Sequence, residues 1–454
     1  MGLDTIVTTQ KEYFLTDATK DVAFRKNALE NLLESIYVNE KTIYEALKED
    51  LNKSEEEAFM TEVSNTISAI KYAIKHVDHW SRVERRKTPL TLFPAKSYVV
   101  KEPYGIVLIL SPWNYPFYLT MAPLVGAIAA GNCAVIKTSK NSPATSAVIA
   151  DIINSTFPKK YVYAIDSPLP YDEVLNQDYD YIFFTGSERV GRTIMRTAAD
   201  RLIPVSLELG GKSPCIIDRS ADIELAAKKI MWGKILNSGQ TCVAPDYVVV
   251  PSELKDVLVE RLRAYSKELI GDPFDNEKYP KIINIHHYSR LKGLIEKEEH
   301  VIGGRCDDNL RRIEPAIFTD ATFDSPSMKE EIFGPILPVI EYEELDDVLN
   351  IIKRRPKPLA CYIFGQDNRF INKVLGTLSF GGGCINDVIV HLANENLPFG
   401  GVGNSGMGSY HGKASFDTFT HEKSIVGGTA SFDVSFKYPP FTTEKYKKLR
   451  KFIK

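Results

Sequence analysis

Short apolar segments that alternate with helical segments constrain the fold of this 454-residue chain more than any other feature. Each segment is mostly apolar, without the polar alternation of a half-exposed strand, which is typical of strands buried on both faces of a sheet. Strands separated by helices pair in parallel through helical crossovers. The pattern therefore predicts a parallel, doubly wound α/β sheet with strands at 105–110, 133–137, 161–165, 181–184 and 205–207.

The regions around these strands differ in their residue patterns and in the secondary structure that those patterns predict. Residues 16–80 carry apolar side chains at intervals of three and four, which predicts helices packed on a sheet. Residues 87–102 contain prolines and β-formers and predict a strand or hairpin. After the first strand we expect a helix with Pro116 in its first turn and Gly131 at its end. A second α/β region is expected over 208–395.

Composition excludes several classes of protein. The formal net charge of -3 argues against a dedicated nucleic-acid binder. The six cysteines form no CxxC pair and have no metal-ligand spacing with histidine, so we expect free thiols and no metal site. The N-terminus lacks the pattern of a signal peptide, and the longest apolar run is too short to span a bilayer. These features predict a cytoplasmic protein without a transmembrane segment.

Cys242 lies in the segment NSGQTCVAPDY, after a break at Gly239 and before Pro245. A cysteine attacks only as the thiolate, and a loop at the mouth of a cleft offers access and backbone N–H groups. A single cysteine is nevertheless more often a buried, inert residue than a nucleophile. Cys242 is therefore a candidate that depends on its neighbours.

Glu208 ends an apolar strand directly before a Gly-Gly turn in VSLELGGKSP. A carboxylate in such a place is costly unless it has a partner or a task. One interpretation is a structural salt bridge to a nearby lysine such as Lys212. The other is a general base that activates water, and the motif alone favours neither.

Two further motifs follow predicted strands. LSPWNYP places Asn114 after the first strand, where its amide is a candidate donor to an oxyanion, although a turn-forming role is commoner. FTGSERVG places Gly186, Ser187 and Gly191 at a strand-turn-helix junction. The N-terminus of that helix is suited to a pyrophosphate, although the GxGxxG fingerprint is absent.

Together these motifs resemble the aldehyde dehydrogenase superfamily along nearly the whole chain. SPWNYP, the lysine of IKTSK, FTGSERVG, LELGGKSP, GQTC, EEIFGP and LPFGGVGNSGMG occur in the order and spacing of that family. The short N-terminal region, APDY after the cysteine and GVGNSGMGSYHG are most like the class 3 branch, which includes enzymes for fatty and aromatic aldehydes.

The resemblance implies a role for each matching residue. It makes Cys242 the nucleophile, Glu208 the general base and Asn114 the oxyanion-binding amide. Cofactor contacts are implied for the pyrophosphate turn, for a lysine at the adenosine ribose and for two residues at the nicotinamide ribose and ring. These cofactor-binding residues are Gly186, Ser187 and Gly191, then Lys137, and finally Glu331 and Phe333.

Lys140 departs from the family pattern. The family has Pro-Ser-Glu after the lysine, whereas this chain has Lys137-Thr138-Ser139-Lys140. The usual glutamate binds the adenosine ribose and repels a 2′-phosphate, and a lysine removes that repulsion and adds a cation. We therefore expect NAD or NADP as the cofactor, with NADP well accepted or preferred. The alternative is that Lys140 points into solvent.

The resemblance also implies three structural parts and a homodimer. A Rossmann-type cofactor domain is expected at 1–86 and 102–207, and an α/β catalytic domain at 208–395. A small β oligomerisation element is expected at 87–101 and 396–430. The basic tail at 431–454 is expected to be solvated or docked on the protein, with peripheral contact to an anionic membrane as the weaker alternative.

Two other functions remain open from the sequence. One is an aldehyde dehydrogenase that transfers the acyl group to coenzyme A, although relatives of that kind generally lack the glutamate at position 208. The other is a non-enzymatic protein on the same fold. Among the remaining candidates, His391 and His411 could line the substrate entrance, although a surface or core position is commoner. Phe399 could border the aldehyde site, although we expect it to pack in the core. Cys306 and Cys361 are expected to be buried thiols.

Overall fold

Strands and helices alternate along most of the chain, as the apolar pattern predicts. The computed structural model describes residues 2–167 and 169–453, apart from the side chains of Phe452 and Ile453. In chain order, the β-strands are β1 (Glu84–Arg86), β2 (Lys96–Pro103), β3 (Ile106–Leu110), β4 (Cys133–Lys137), β5 (Val162–Ala164), β6 (Tyr181–Thr185), β7 (Val205–Glu208), β8 (Pro214–Ile217), β9 (Tyr247–Pro251), β10 (Val301–Gly303), β11 (Cys306–Asp307), β12 (Arg312–Ile313), β13 (Ala316–Phe318), β14 (Ile336–Tyr342), β15 (Ala360–Phe364), β16 (Gly382–Ile385), β17 (Gly406–Met407) and β18 (Thr420–Gly427).

The helices connect these strands and cover both faces of the sheets. A π-helical turn over Phe59–Val63 joins the third helix to the fourth. In chain order, the α-helices are α1 (Leu3–Phe14), α2 (Val22–Leu51), α3 (Glu55–Ala58), α4 (Ser64–Trp80), α5 (Tyr118–Ala130), α6 (Pro143–Thr156), α7 (Tyr171–Leu175), α8 (Glu188–Ala199), α9 (Ile223–Ile235), α10 (Lys255–Ile270), α11 (Ile285–Ile295), α12 (Leu345–Arg354), α13 (Asn368–Thr377), α14 (Gly412–Thr418) and α15 (Thr443–Ile453).

Two largely parallel sheets form the framework. The first has the order β17-β7-β6-β3-β4-β5, in which only β17 runs antiparallel to its neighbour. The second has the order β10-β13-β14-β9-β8-β15-β16, in which only β10 is antiparallel. A third, antiparallel sheet has the order β1-β2-β18. The predicted α/β fold class with parallel sheets is confirmed.

The five predicted strands are β3 to β7, with ends that differ by no more than one residue. β3 and β6 are buried along their whole length, because helices cover both faces of the sheet. Such strands have no polar face, so their apolar runs are easy to recognise in the sequence. The pattern of apolar residues does not predict the order of the strands within the sheet.

The helix after β3 begins later than the sequence predicts. Helix α5 starts at Tyr118, so Pro116 precedes it and does not lie in its first turn. The side chain of Glu62 accepts hydrogen bonds from the backbone N–H groups of Phe117 and Tyr118, and these contacts define the start of the helix. Gly131 ends α5 with φ of 93°, as predicted, because a left-handed residue at that position favours glycine.

The antiparallel sheet occupies part of the predicted oligomerisation element. β2 lies between β1 and β18, and the residues before β2 form a short 3₁₀ turn over Leu90–Leu92 instead of a second strand. The predicted domain boundaries stay predictions, as does assembly through this element. Of the helices at 2–167 and 169–453, none combines the length and the apolar character that crossing a bilayer requires.

The basic tail forms helix α15. Leu449 lines a groove together with Leu92 and Phe93 of the antiparallel sheet region. The side chains of Phe452 and Ile453, on which part of the membrane alternative depends, lie outside the described residues, as does Lys454.

Candidate active site

Three loops meet at the carboxyl-terminal edge of the first sheet. Asn114 follows β3, Gly186 follows β6, and Glu208 is the last residue of β7. β3, β6 and β7 are adjacent and parallel, so their carboxyl ends lie side by side. Ligands of open α/β sheets bind at this edge. The topology therefore brings together residues that are far apart in the sequence.

An apolar cavity of about 300 Å³ contains the predicted nucleophile and the predicted base. Cys242 and Glu208 both line it. The rest of its wall is dominated by apolar side chains, which include Met60, Leu119, Trp232, Leu236, Ile389 and Phe399.

Glu208 lacks a hydrogen-bond partner among the residues that the structure describes. Its side chain is 2% exposed, and neither carboxyl oxygen accepts or donates a hydrogen bond within the described residues. The alternative salt bridge to Lys212 is wrong, because the ammonium of Lys212 pairs with Asp246. Burial raises the pKa of Glu208 well above its ordinary value. A buried carboxyl without a partner is costly and indicates a functional task.

Cys242 follows a tight turn that the sequence shows only as NSGQ. Asn237 and Ser238, in the 3₁₀ turn Leu236–Gly239, adopt φ angles of 50° and 51°. Burial, then the nearby carboxylates of Glu331 and Glu208, raise the pKa of the Cys242 thiol well above its ordinary value. A nucleophilic role for Cys242 therefore requires loss of the thiol proton.

Asn114 lies against the loop that carries Cys242. Its side chain is buried, and Nδ2 donates to the backbone oxygen of Gln240 at 3.0 Å. Its own backbone oxygen accepts from Nδ2 of Asn237 at 2.8 Å. An amide nitrogen has two hydrogens, so the second N–H of Asn114 is not used by the bond to Gln240. The residue therefore does more than form a turn.

A second cavity has a volume of about 750 Å³ and shares Thr185 with the apolar cavity. Gly186, Ser187 and Glu331 line it. Ser187 is the N-cap residue of α8, but its side chain makes no capping hydrogen bond. Oε1 of Glu331 is buried without a partner. A helix N-terminus and an unpaired carboxylate oxygen fit a phosphate and a ribose hydroxyl, so the residues present suit a dinucleotide.

The two lysines of the predicted adenosine site do not line this cleft themselves, but residues next to them do. Lys137 is half-buried at the end of β4, with its ammonium 5.4 Å from the ring centre of Tyr171, which lines the cleft. Burial, and then the charge of Lys140, lower the pKa of Lys137. Lys140 is exposed, and its neighbours Ser139 and Asn141 line the cleft.

Two predicted cofactor residues are placed differently from the rest. Gly191 is buried inside α8, where a side chain would collide with Leu209, so it allows close packing and does not line the cleft. Phe333 contacts the ring of Trp113 edge-on at 5.4 Å and adopts φ of 53°. Trp113 lines the cleft, so Phe333 is adjacent to it.

Some residues of the site were missed or misjudged from the sequence. Phe399 and His411 were expected to pack, and they are buried, but both also line the apolar cavity. Tyr118 lines it too and contacts Nε2 of His411 at 3.1 Å. Cys306 is only half-buried, so the expectation of a buried thiol was wrong for it, whereas Cys361 is buried. No sequence pattern distinguishes cavity walls from core.

Comparison with known proteins agrees with this geometry. The aldehyde dehydrogenase family profile matches residues 3–425. The 4,4'-diaponeurosporen-aldehyde dehydrogenase of Staphylococcus aureus is 46% identical, over 98% of this chain and 97% of its own. Aldehyde dehydrogenase family 3 member A2 of Mus musculus is 40% identical, over 96% and 91%. The dimeric NADP-preferring aldehyde dehydrogenase of Canis lupus familiaris is 42% identical, over 96% and 97%.

A solved structure extends the comparison to the fold. The substrate-bound state of Staphylococcus aureus AldH superposes with a TM-score of 0.96 at 45% identity, over 100% of this chain and 99% of that one. The chain belongs to the aldehyde dehydrogenase family. It is an NAD(P)-dependent aldehyde dehydrogenase that is similar to class 3 enzymes, which removes the non-enzymatic alternative.

Replacing Glu331 with glutamine is expected to speed the alkylation of Cys242 by iodoacetamide at pH 9. Burial raises the pKa of Glu331 to about 8, so its carboxylate is charged at pH 9 and opposes formation of the thiolate. Loss of that charge lowers the pKa of the thiol, and we expect a rate about three- to tenfold higher. Peptide mass spectrometry of the cofactor-free protein measures the rate.

The pH dependence and a neighbouring residue provide the controls. Below pH 7 the carboxyl of Glu331 is itself protonated, so the rates of the two proteins should converge. Glu330 is exposed, and Glu330→Gln should leave the rate unchanged at every pH. Equal rates for Glu331→Gln and the unsubstituted protein at pH 9 would contradict the electrostatic coupling.

Proposed function

We propose that this enzyme oxidises medium-chain, long-chain or aromatic aldehydes to carboxylates, with Cys242 as the covalent nucleophile and water as the acyl acceptor. One observation carries the proposal: the thiol of Cys242 and the unpaired carboxyl of Glu208 line the same apolar cavity. An apolar aldehyde in that cavity has its carbonyl carbon beside a nucleophile and beside a group able to activate water.

In the first step the thiol of Cys242 gives up its proton to solvent, and its sulfur forms a bond with the aldehyde carbon. The carbonyl oxygen becomes an oxyanion, and the free N–H of Asn114 and the backbone N–H of Cys242 are the proposed donors to it. A bound nicotinamide supplies the acceptor for the hydride that leaves this carbon with its electron pair. Cys242 then holds the acyl group as a thioester.

Glu208 is the proposed base for release of the acid. It takes a proton from water, the hydroxide attacks the thioester carbon, and the carbon–sulfur bond breaks to return the Cys242 sulfur. A carboxylate in so dry an environment is a stronger base than an exposed one, because burial raises its pKa. This role favours water over coenzyme A as the acceptor.

Replacing Glu208 with glutamine is expected to uncouple the two halves of the reaction. The variant should reduce about one equivalent of nicotinamide per subunit in a rapid burst and then stall, with steady-state kcat lower by about 10²-fold or more. Stopped-flow absorbance at 340 nm measures the burst, and intact-mass spectrometry detects the acyl group on Cys242.

Two further variants and the addition of coenzyme A serve as controls for the Glu208→Gln experiment. Cys242→Ala should show no burst, whereas Cys384→Ala, which changes a half-buried thiol outside both cavities, should show normal turnover. Coenzyme A should not raise the turnover of the unsubstituted enzyme. A rate that depends on coenzyme A would favour the acyl-transfer alternative.

The lining of the cavity supports the proposed class of aldehyde. Most of its exposed surface is apolar, although the lining also includes threonine, tyrosine, asparagine and histidine side chains. Each methylene group that leaves water for such a surface contributes about 0.8 kcal/mol. The relative from Staphylococcus aureus is named for an aldehyde, 4,4'-diaponeurosporen-aldehyde.

A series of linear aldehydes tests this class. From propanal upward, kcat/KM should rise about two- to fourfold per added methylene until the cavity is filled, because binding of the chain is driven by burial of apolar surface. Steady-state kinetics at saturating cofactor measure the trend. Equal kcat/KM values for propanal and octanal would contradict the proposal, and benzaldehyde serves as the aromatic comparison.

We also propose that NADP is well accepted, or preferred over NAD. Lys140 stands where the family has a glutamate, and its charge reaches Lys137. Two cations suit a 2′-phosphate. The relative from Canis lupus familiaris is itself named NADP-preferring.

Lys140→Glu is expected to lower the ratio of kcat/KM with NADP to kcat/KM with NAD by about tenfold or more. The reversed charge repels the 2′-phosphate and offers an acceptor to the ribose hydroxyls. Lys297→Glu is the matched control, because it makes the same change at an exposed position that lines neither cavity. An unchanged ratio for Lys140→Glu would show that this lysine plays no part in the preference.

Assembly as a homodimer through the antiparallel sheet is part of the same proposal. Within the described chain, β18 pairs only with β2, so its second edge is available to another strand. Exposed apolar side chains such as Leu90 and Val426 lie in the same region. The relative from Canis lupus familiaris is named as dimeric. A cytoplasmic location stays a prediction.

A further inference from the structure

A buried ion pair lies beneath the loop that carries Asn114. The ammonium of Lys53 is 2.5 Å from Oε1 of Glu62, and both side chains are 0% exposed. Neither residue lines the aldehyde cavity or the cofactor cleft. The pair therefore takes no direct part in the proposed chemistry.

The ion pair contacts the loop on both sides of Pro116. On one side, Nζ of Lys53 donates to the backbone oxygen of Asn114 at 3.1 Å. On the other side, Oε2 of Glu62 accepts from the backbone N–H groups of Phe117 at 2.8 Å and Tyr118 at 3.2 Å. One charged unit thus fixes the carbonyl of Asn114 relative to the first residues of α5.

The same carbonyl oxygen connects to the loop of the nucleophile. Nδ2 of Asn237 also donates to the backbone oxygen of Asn114, and the backbone N–H of Asn237 donates to Glu57 at 2.7 Å. Asn237 adopts φ of 50° at the turn five residues before Cys242. Lys53 and Asn237 therefore hold the oxyanion loop and the cysteine loop in one relative position.

The backbone around Glu62 has an irregular helical geometry, which places neighbouring residues at the aldehyde cavity and at the loop of Asn114. Glu62 lies in the π-helical turn Phe59–Val63, where the helix accommodates an extra residue. Met60 and Thr61 of this turn line the aldehyde cavity, while Glu62 is directed to the loop of Asn114. π-helical turns are rare and occur frequently at functional sites.

Stability alone does not account for the pair. The cost of removing two charges from water commonly exceeds their mutual attraction, and apolar replacements of similar volume are often neutral or stabilising. What an apolar pair cannot supply is the set of charge-assisted hydrogen bonds to three backbone groups of the loop. Those bonds fix the position of a side chain that has to meet an oxyanion within a few tenths of an ångström.

We propose that the Lys53–Glu62 ion pair positions the amide of Asn114 for the oxyanion and thereby contributes to kcat without touching the aldehyde or the cofactor. The inference rests on the proposed function of Asn114. Lys53 and Glu62 are positioning residues, and their effect on the reaction passes through Asn114.

A double-mutant cycle tests this dependence. Glu62→Gln keeps the shape of the side chain but removes its charge, and we expect it to lower kcat about tenfold or more while the KM for the cofactor changes less than about twofold. On the Asn114→Ala background, where the positioned amide is absent, the same substitution should lower kcat less than about twofold. Steady-state kinetics with a saturating aldehyde measure all four proteins.

Asp180 provides a matched control. Its Oδ2 also accepts from a backbone N–H, that of Ile106 at 2.8 Å, but at the opposite end of β3 from the site. Asp180→Asn should lower the midpoint of thermal unfolding and leave kcat unchanged. This control separates loss of a carboxylate–amide contact from loss of the position of Asn114.

A second variant is needed if Glu62→Gln does not fold, because that change removes the carboxylate that pairs directly with the buried ammonium of Lys53. Lys53→Met combined with Glu62→Gln removes both members of the pair and should show the same dependence on Asn114. Iodoacetamide alkylation of Cys242, which forms no oxyanion, should proceed at an unchanged rate in every folded variant of the pair.

Two results would overturn the inference: an unchanged kcat in the folded variants, or an equal loss in the native and Asn114→Ala backgrounds. Failure of the proposed function is distinguishable from both. In that case the Cys242→Ala variant would oxidise aldehydes as fast as the unsubstituted enzyme, and this comparison does not require the double-mutant cycle.

Discussion

Burial of parallel strands on both faces is the constraint on which the rest of this protein depends. β3, β6 and β7 have no solvent-facing side, so helices have to cover them and the strands have to run in one direction. Their carboxyl ends then form a single edge. Asn114, Gly186 and Glu208 meet there because of this geometry, although 94 residues separate the first from the last by their numbering.

The site at that edge consists of an apolar cavity and a more polar cleft. Cys242 and Glu208 line the apolar cavity, in which burial raises both pKa values. In the cleft, the N-terminus of α8 and the unpaired oxygen of Glu331 suit a dinucleotide. Thr185 lines both cavities, so the two sites are adjacent.

The site contains two kinds of buried charged residue, one without a hydrogen-bond partner in the described part of the chain and one in an ion pair, and burial of each costs free energy. Within the described residues Glu208 has no hydrogen-bond partner, whereas Lys53 and Glu62 pair with each other and with backbone groups of the loop of Asn114. A carboxyl proposed as a base has to stay free of fixed partners, while one proposed to position a loop has to have them.

The sequence by itself determined the elements with short-range signals. The strands β3 to β7 could be predicted because a doubly buried strand is apolar throughout, and Cys242, Glu208 and Asn114 could be predicted because they lie in motifs of fixed spacing. The start of α5 was misplaced because Glu62, which defines it, lies about 55 residues before it in the chain.

Only the tertiary structure decided which residues share a cavity and which charges are paired. It showed that Lys212 pairs with Asp246 and not with Glu208, and that Phe399 and His411 line the apolar cavity. It also showed that Gly191 is packed against Leu209 and does not line the cleft. It also revealed Lys53 and Glu62 beneath Asn114. Such relationships depend on contacts between distant segments, and local patterns of apolar and polar residues carry no information about those contacts.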